Sequence, residues 1–289
     1  MNNMRLHIQH TTRYRYDHAP NHLTQLMRLT PRADAHQRII EWRIQAPGKQ
    51  NVFLDAFGNL TQVHVVGQPA AEMNLIVQGI VEMGALAGGR LQDDADTVDS
   101  HKRGERGKRD ESGKKGGIAP ITYRLPTALT AKSDNITKMA SQALPQGLHT
   151  AEDALVLAAA VCQAMPYTPG KTDVTSTAAE SFALGQGVCQ DHAHVMIAAC
   201  QALDVPARYV SGYVDPGNSR IAASHAWVDL WLQTHWVSVD VTNALLASNV
   251  HCRLAIGRDY LDACPVRGVR EGGMVEALDV SVTVHALQQ

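Results

Sequence analysis

Three residues stand out by chemical type and by setting. They are the cysteine at 189 in GVCQDHAHVMIAAC (187–200), the histidine at 225 in SHAWVDLWL (224–232) and the aspartate at 240 in WVSVDVT (236–242). A thiol, an imidazole and a carboxylate can serve as a nucleophile, a base that takes its proton and a group that orients the base. The reading depends on whether the intervening chain brings them together.

Gly185 and Gly187 break a preceding helix, and from Cys189 the residues Cys189, Ala193, Met196, Cys200 and Leu203 recur at steps of four and three. That is one apolar face of a new helix. Cys189 occupies its first turn, at the positive end of the helix dipole, where a thiolate is stabilised. The plainer alternative is a small buried apolar residue, which is how Cys162, Cys200, Cys252 and Cys264 read. Cys189 differs from them in the glycines before it and the polar residues around it. His192 and His194 lie two apart on the same helix and point to opposite sides, so no metal site is expected there.

The second stretch alternates. His225, Trp227, Asp229 and Trp231 share one face of a strand, and Trp236, Ser238 and Asp240 share one face of the next. With Trp231 opposite Trp236, Asp240 falls opposite Trp227 and His225 lies on the diagonal, about 7–8 Å away. A slip of one residue would send Asp240 to the other face. Asp229 has the same parity as His225 and is the rival orienter. An ordinary strand pair with a polar edge is the alternative for these two residues alone. The three together form a set in which the base holds the thiol proton and the carboxylate fixes the imidazole tautomer.

The elements that must position these residues fall into two kinds. Leu6, Ile8, Tyr14 and Tyr16 share a parity, as do Ile40, Trp42 and Ile44, and Leu75, Val77 and Val81. Gly58-Asn59 between VFLDAF and LTQVHVV suggests a hairpin turn. Residues 1–88 thus read as an antiparallel β domain. Residues 89–117 are charged, glycine-bearing and poor in large apolar residues, and read as a flexible insert. Residues 118–289 read as the catalytic domain. There Thr150 with Asp153, and Thr177 with Glu180, form capping boxes ahead of helices, and ARYVSGYV, SHAWVDLWL and WVSVDVT follow as strands. The fold class is α+β.

A formal net charge of −2 gives no reason to expect nucleic acid as a partner. MNNMRLHIQHTTRYRY lacks the apolar stretch of a signal peptide, and no later stretch reads as a membrane span. The five cysteines are odd in number and contain no CxxC pair, which fits reduced thiols and a cytoplasmic location. No cofactor is called for, and the oligomeric state is open.

GVCQDHAHVMIAACQALDVPARYVSGY, SHAWVDLWL and WVSVDVTN resemble the transglutaminase-like, papain-type cysteine peptidase superfamily. HTTRYRY, MRLTPR and DAFGN resemble the β domain that precedes this core in bacterial proteins of the group, and TPGKTDVTSTAAE, HCRLAIGRDYLDACPVRGV and VSVTVHAL fit the same bacterial subgroup. The resemblance implies a papain-like core with the nucleophile at a helix start packed on an antiparallel sheet. It implies that Cys189 is the nucleophile, His225 the general base and acid, and Asp240 the orienting carboxylate. It also implies acyl transfer from a peptide, protein or small amide through a thioester. Resolution by water makes a peptidase or amidase. Resolution by an amine makes a γ-glutamyltransferase-type enzyme, and a catalytically silent binding module is the third reading. The Cys189 backbone N–H is a natural oxyanion donor, and Gln186 and Tyr167 are candidates for a second.

Overall fold

The computed structural model describes residues 4–91, 118–217, 224–273 and 276–287. Strands come first: β1 (Met4–Tyr16), β2 (His22–Met27), β3 (Gln37–Gln45), β4 (Lys49–Leu54), β5 (Leu60–Val66) and β6 (Glu72–Met83). Helices follow: α1 (Asp134–Ala143), α2 (Ala151–Ala164), α3 (Ala178–Leu184) and α4 (Cys189–Ala202). The chain then runs through β7 (Ala207–Val214), β8 (Ser224–Leu232), β9 (His235–Asp240), β10 (Leu245–Leu246), β11 (His251–Gly257), α5 (Tyr260–Ala263), β12 (Val266–Glu271) and β13 (Glu276–Leu287). This is the α+β class read from the sequence. Among the described residues, no helix is long and apolar enough to cross a membrane.

The strands form three antiparallel sheets, in the orders β13-β1-β6-β3, β12-β2-β5-β4 and β10-β9-β8-β7-β11. The first two share one apolar core, into which Leu6, Ile8, Tyr14 and Tyr16 of β1 and Leu75, Val77 and Val81 of β6 are buried. Ile40 departs from the expected alternation and is 42% exposed. The cause is a bulge between Ile39 and Glu41 in the pairing with β6, which shifts the strand's phase by one residue. The β4–β5 hairpin forms as expected, with Leu54 opposite Leu60 and Gly58 at φ +73°, a conformation that favours glycine.

Two expected domain limits are corrected by the sheet pairing. Residues 266–287, assigned to the catalytic domain, instead complete the β-rich unit: β12 pairs with β2 and β13 with β1 along nearly their whole lengths. Each strand covers an edge that would otherwise present unpaired backbone. Residue 89 is too early a start for the insert, because Arg90 bridges Val237 and the Leu91 N–H donates to the Trp236 carbonyl at 2.9 Å, with Leu91 buried. The remainder of that insert, residues 92–117, lies outside the described residues.

In the core, both capping boxes are present: Thr150 with Asp153 starts α2, and Thr177 with Glu180 starts α3, which ends at left-handed Gly185. The single apolar face expected for α4 is an understatement. Every residue from Asp191 to Gln201 is buried, because the helix runs between the five-stranded sheet and α1–α3. On the opposite face of that sheet Trp227 clusters with Val210 and Ile256, and Phe57 of the β-rich unit packs against them.

The two units meet along β11, an edge strand. Gln37 Oε1 accepts from the Arg253 N–H at 2.9 Å while Gln37 Nε2 donates to the Arg253 carbonyl at 2.7 Å. Asn59 repeats the arrangement at Ile256, accepting at 2.9 Å and donating at 2.8 Å. Each side-chain amide thus does for β11 what the backbone of a neighbouring strand would do.

Candidate active site

The turn before α4 sets the position of Cys189. Asp191, 1% exposed, accepts from the Val188 N–H at 2.8 Å, from Thr172 Oγ1 at 2.7 Å and from Ser181 Oγ at 2.8 Å. One carboxylate therefore ties the helix start to α3 and to the loop that follows α2. Gly187 is required there, since a Cβ at this position would lie 2.7 Å from that of Asp191. Cys189 is the first residue of α4, where the backbone N–H has no partner within the helix.

The β8–β9 hairpin supplies the other two residues in the expected register, with Trp231 opposite Trp236 and Val228 opposite Val239. His225 Nε2 donates to Asp240 Oδ1 at 2.9 Å. The Cys189 side chain lies close enough to His225 to act on its imidazole. With Nε2 engaged by the carboxylate, Nδ1 is the ring nitrogen left for the thiol. All three residues come together, Cys189 half-buried, His225 and Asp240 buried.

The electrostatics follow from the partners. Burial by itself pushes the His225 imidazole down, but hydrogen bonds to Asp240 and Cys189 and the charges of both outweigh it, and the imidazole rises from 6.5 to about 10. Burial pushes the Asp240 carboxyl up. Donors from His225, His251 and Asn243, with the charge of His225, overcome this and hold it well below the usual carboxylate range. The other four thiols are all pushed up, burial being the largest cause in each. Cys189 is thus the thiol with an imidazole beside it and a helix start beneath it.

The rival orienter is committed elsewhere. Asp229 accepts from Arg208 Nε at 2.9 Å, from Arg253 Nη2 at 2.8 Å and from Ser238 Oγ at 2.7 Å. His192 and His194 diverge as the helical period implies. His192 Nε2 donates to the Met165 carbonyl at 2.8 Å, and His194 Nε2 accepts from the Tyr260 N–H at 3.1 Å. Burial lowers both imidazoles, that of His194 to about 4. Of the two candidate second oxyanion donors, Tyr167 pairs with Gly187 through the backbone, and its phenol is raised by burial and then by the charge of Cys189. Gln186 sits in the turn between Gly185 and Gly187, half-buried.

Three residues around the site were missed in the sequence. Asp191 carries a local signal, an acidic residue three positions after the start of a helix cap. Asn243 carries a weaker one: it lies three residues after Asp240 and donates to it through Nδ2 at 2.6 Å. His251 carries none, because it reaches Asp240 Oδ2, at 3.2 Å, from a separate strand.

The Transglutaminase-like superfamily matches residues 137–241, the segment that holds Cys189, His225 and Asp240. The Bacterial transglutaminase-like N-terminal region matches residues 6–82. An uncharacterised protein of Mycobacterium leprae is 27% identical over 292 residues, spanning 98% of this chain and 99% of that protein. One of Mycobacterium bovis is 27% identical over 296 residues, spanning 97% and 92%. A crystal structure from Cytophaga hutchinsonii, of a protein provisionally named a cysteine protease, has a TM-score of 0.76 at 19% identity, covering 100% of this chain and 92% of that one. At that identity the likeness is one of fold. The Cys–His–Asp constellation therefore lies in a core that matches the transglutaminase-like superfamily, behind a β-rich segment that matches the bacterial transglutaminase-like N-terminal region.

Proposed function

We propose that the protein is a cysteine-nucleophile amide hydrolase acting on a peptide, protein or small amide. The observation that carries this is His225, which bonds Asp240 through Nε2 at 2.9 Å while Cys189, at the start of α4, lies near enough to act on its imidazole. In the first half-reaction Cys189 Sγ attacks the acyl carbon as its proton passes to His225 Nδ1. The oxyanion that forms is met by the Cys189 N–H at the helix start. The C–N bond then breaks as His225 returns the proton to the departing amine, leaving a thioester on Cys189. In the second half-reaction His225 takes a proton from water, hydroxide adds to the thioester, and the acid leaves as the thiol is restored. Asp240 keeps the ring oriented and steadies its charged form throughout. No cofactor has a place in these steps.

Transfer to an amine needs a second entrance walled against water. Trp227, Trp231 and Trp236 are the aromatic residues available on this hairpin, and packing uses them. Trp227 is fully buried and meets His251 edge-on at 5.4 Å. Trp231 and Trp236 contact each other at 5.3 Å, with Tyr123 edge-on to Trp236 and the Arg208 guanidinium over its ring. This supports water over an amine as the acceptor. A cytoplasmic setting is supported by the five cysteines, all of them free.

Partitioning tests the reading. The protein is acylated with p-nitrophenyl acetate and given graded glycinamide, and acid is measured against amide. Mostly acetate is expected at millimolar amine. Predominant amide would make the protein a transferase, and the absence of any acyl group on Cys189 would make it a binding module.

A further inference from the structure

The Asp240 carboxylate accepts four hydrogen bonds, more than orientation of one imidazole requires. Oδ1 takes His225 Nε2 at 2.9 Å and the Asn243 N–H at 3.3 Å; Oδ2 takes Asn243 Nδ2 at 2.6 Å and His251 Nε2 at 3.2 Å. Asn243 is local, three residues on. His251 is not, since it opens β11, which is separated from β9 in the sheet by β8 and β7.

The protonation of His251 is fixed by its other nitrogen. Nδ1 accepts the Ser248 N–H at 3.2 Å, and a nitrogen that accepts carries no proton of its own. The proton therefore sits on Nε2, directed at Asp240. The ring is 3% exposed and stands edge-on to Trp227 at 79°. Trp227 can lie there because residue 212 is glycine: a Cβ at that point would be 2.4 Å from the indole. The strand beneath is equally fixed, by the Gln37 and Asn59 amides at Arg253 and Ile256. A donor, its tautomer, its ring plane and its strand are all determined, and all of them serve one carboxylate oxygen.

Resting on the hydrolase reading above, we infer that His251 is a positioning residue of that site. It holds Asp240 Oδ2 so that Oδ1 stays on His225 Nε2, and the β-rich unit contributes by clamping β11. The titratable groups around Asp240 are His225 from β8, His251 from β11, His192 from α4 and Cys162 from α2. Of these, His225 and His251 donate directly to the carboxylate. Removing the His251 donor takes away support that only the ionised carboxylate enjoys, so Asp240 accepts a proton at higher pH. Once protonated, it no longer steadies the imidazolium beside Cys189.

The test is the pH dependence of Cys189 alkylation by iodoacetamide in the full chain, followed by mass spectrometry, alongside the rate of acylation by p-nitrophenyl acetate. His251→Phe keeps a ring against Trp227 and loses the donor; His251→Gln keeps an amide donor. In His251→Phe the acid limb of the alkylation profile moves toward neutrality by about one pH unit, and acylation slows about tenfold. In His251→Gln the limb stays where it is in the unaltered protein. If His251→Phe does not fold, His251→Asn, whose amide is too short to reach, takes its place against His251→Gln. An unmoved limb in a folded donor-free variant would overturn the inference. Asp240→Asn separates the two levels of the argument. If Asp240→Asn leaves the Cys189 profile unchanged, the hydrolase reading itself fails. If it alters the profile while the donor-free His251 variant does not, only the role of His251 fails.

Discussion

Two fully buried aspartates sit on one β-hairpin, and they are held by opposite kinds of partner. Asp229 on β8 is gripped by Arg208 and Arg253, with Ser238 as a third donor. Asp240 on β9 is gripped by His225, His251 and Asn243. Guanidinium groups keep their protons at any pH the protein survives, so Asp229 ties β7, β8, β9 and β11 together as a permanent knot. An imidazole, unlike a guanidinium, can hand a proton on, so Asp240 belongs to a set built around a movable proton. Burial does not distinguish a working carboxylate from a structural one. The ability of its partners to part with a proton does.

The contrast should be sharpest in Asp240→Asn, which preserves shape and leaves the imidazole poorly supported. Turnover of an activated ester or amide is expected to fall by about 10³–10⁴-fold, with the melting temperature little changed. Asp229→Asn should do the reverse. It removes the buried negative charge that faces two buried guanidiniums and is expected to cost about 3–5 kcal/mol by denaturant titration, while iodoacetamide still finds Cys189 in the folded fraction. Activity lost from Asp229→Asn at full stability would dissolve the distinction.

A smaller effect concerns pH. Burial lowers the His225 imidazole, but Asp240 and Cys189 more than reverse this and carry it to about 10, above its unfolded value of 6.5. Its contribution to stability is therefore complete below 6.5 and fades as pH rises through about 10, because only the unfolded chain has released the proton in that window. Denaturant midpoints measured across that range should decline in the unaltered protein and decline less in His225→Gln. Equal slopes would show that the imidazolium adds nothing to the fold. Smallest of all, Gln37→Ala and Asn59→Ala each leave a buried backbone pair on β11 unmet, at about 1–3 kcal/mol apiece. A loss confined to stability would mark the amides as structural, and a loss of turnover as well would link them to Asp240.

How much of this was written in the sequence depends on how far apart the cooperating residues lie. Cys189 at a helix start and the His225–Asp240 diagonal were legible because helical and strand periods are local, and the pairing of Trp231 with Trp236 fixed the register. The exposure of Ile40 was not, since a single-residue bulge leaves no trace in an alternating pattern. His251 was invisible because nothing near it in the chain refers to Asp240. The affiliation of β12 and β13 was missed for the same reason: their edges are complementary to β1 and β2, yet they follow the core in sequence.

That pairing has a consequence for how the chain is made. Arg5 finds its partner in Leu287, so the sheet that β1 opens cannot be finished until residue 287 has left the ribosome. Until then β1 and β2 each wait with one flank bare, while the helices and central sheet that come between are already available to fold. A nascent chain halted before residue 266 would therefore leave the borders of β1 and β2 that β13 and β12 cover without their partners. Such a fragment is where a chaperone would be needed, and where aggregation would begin.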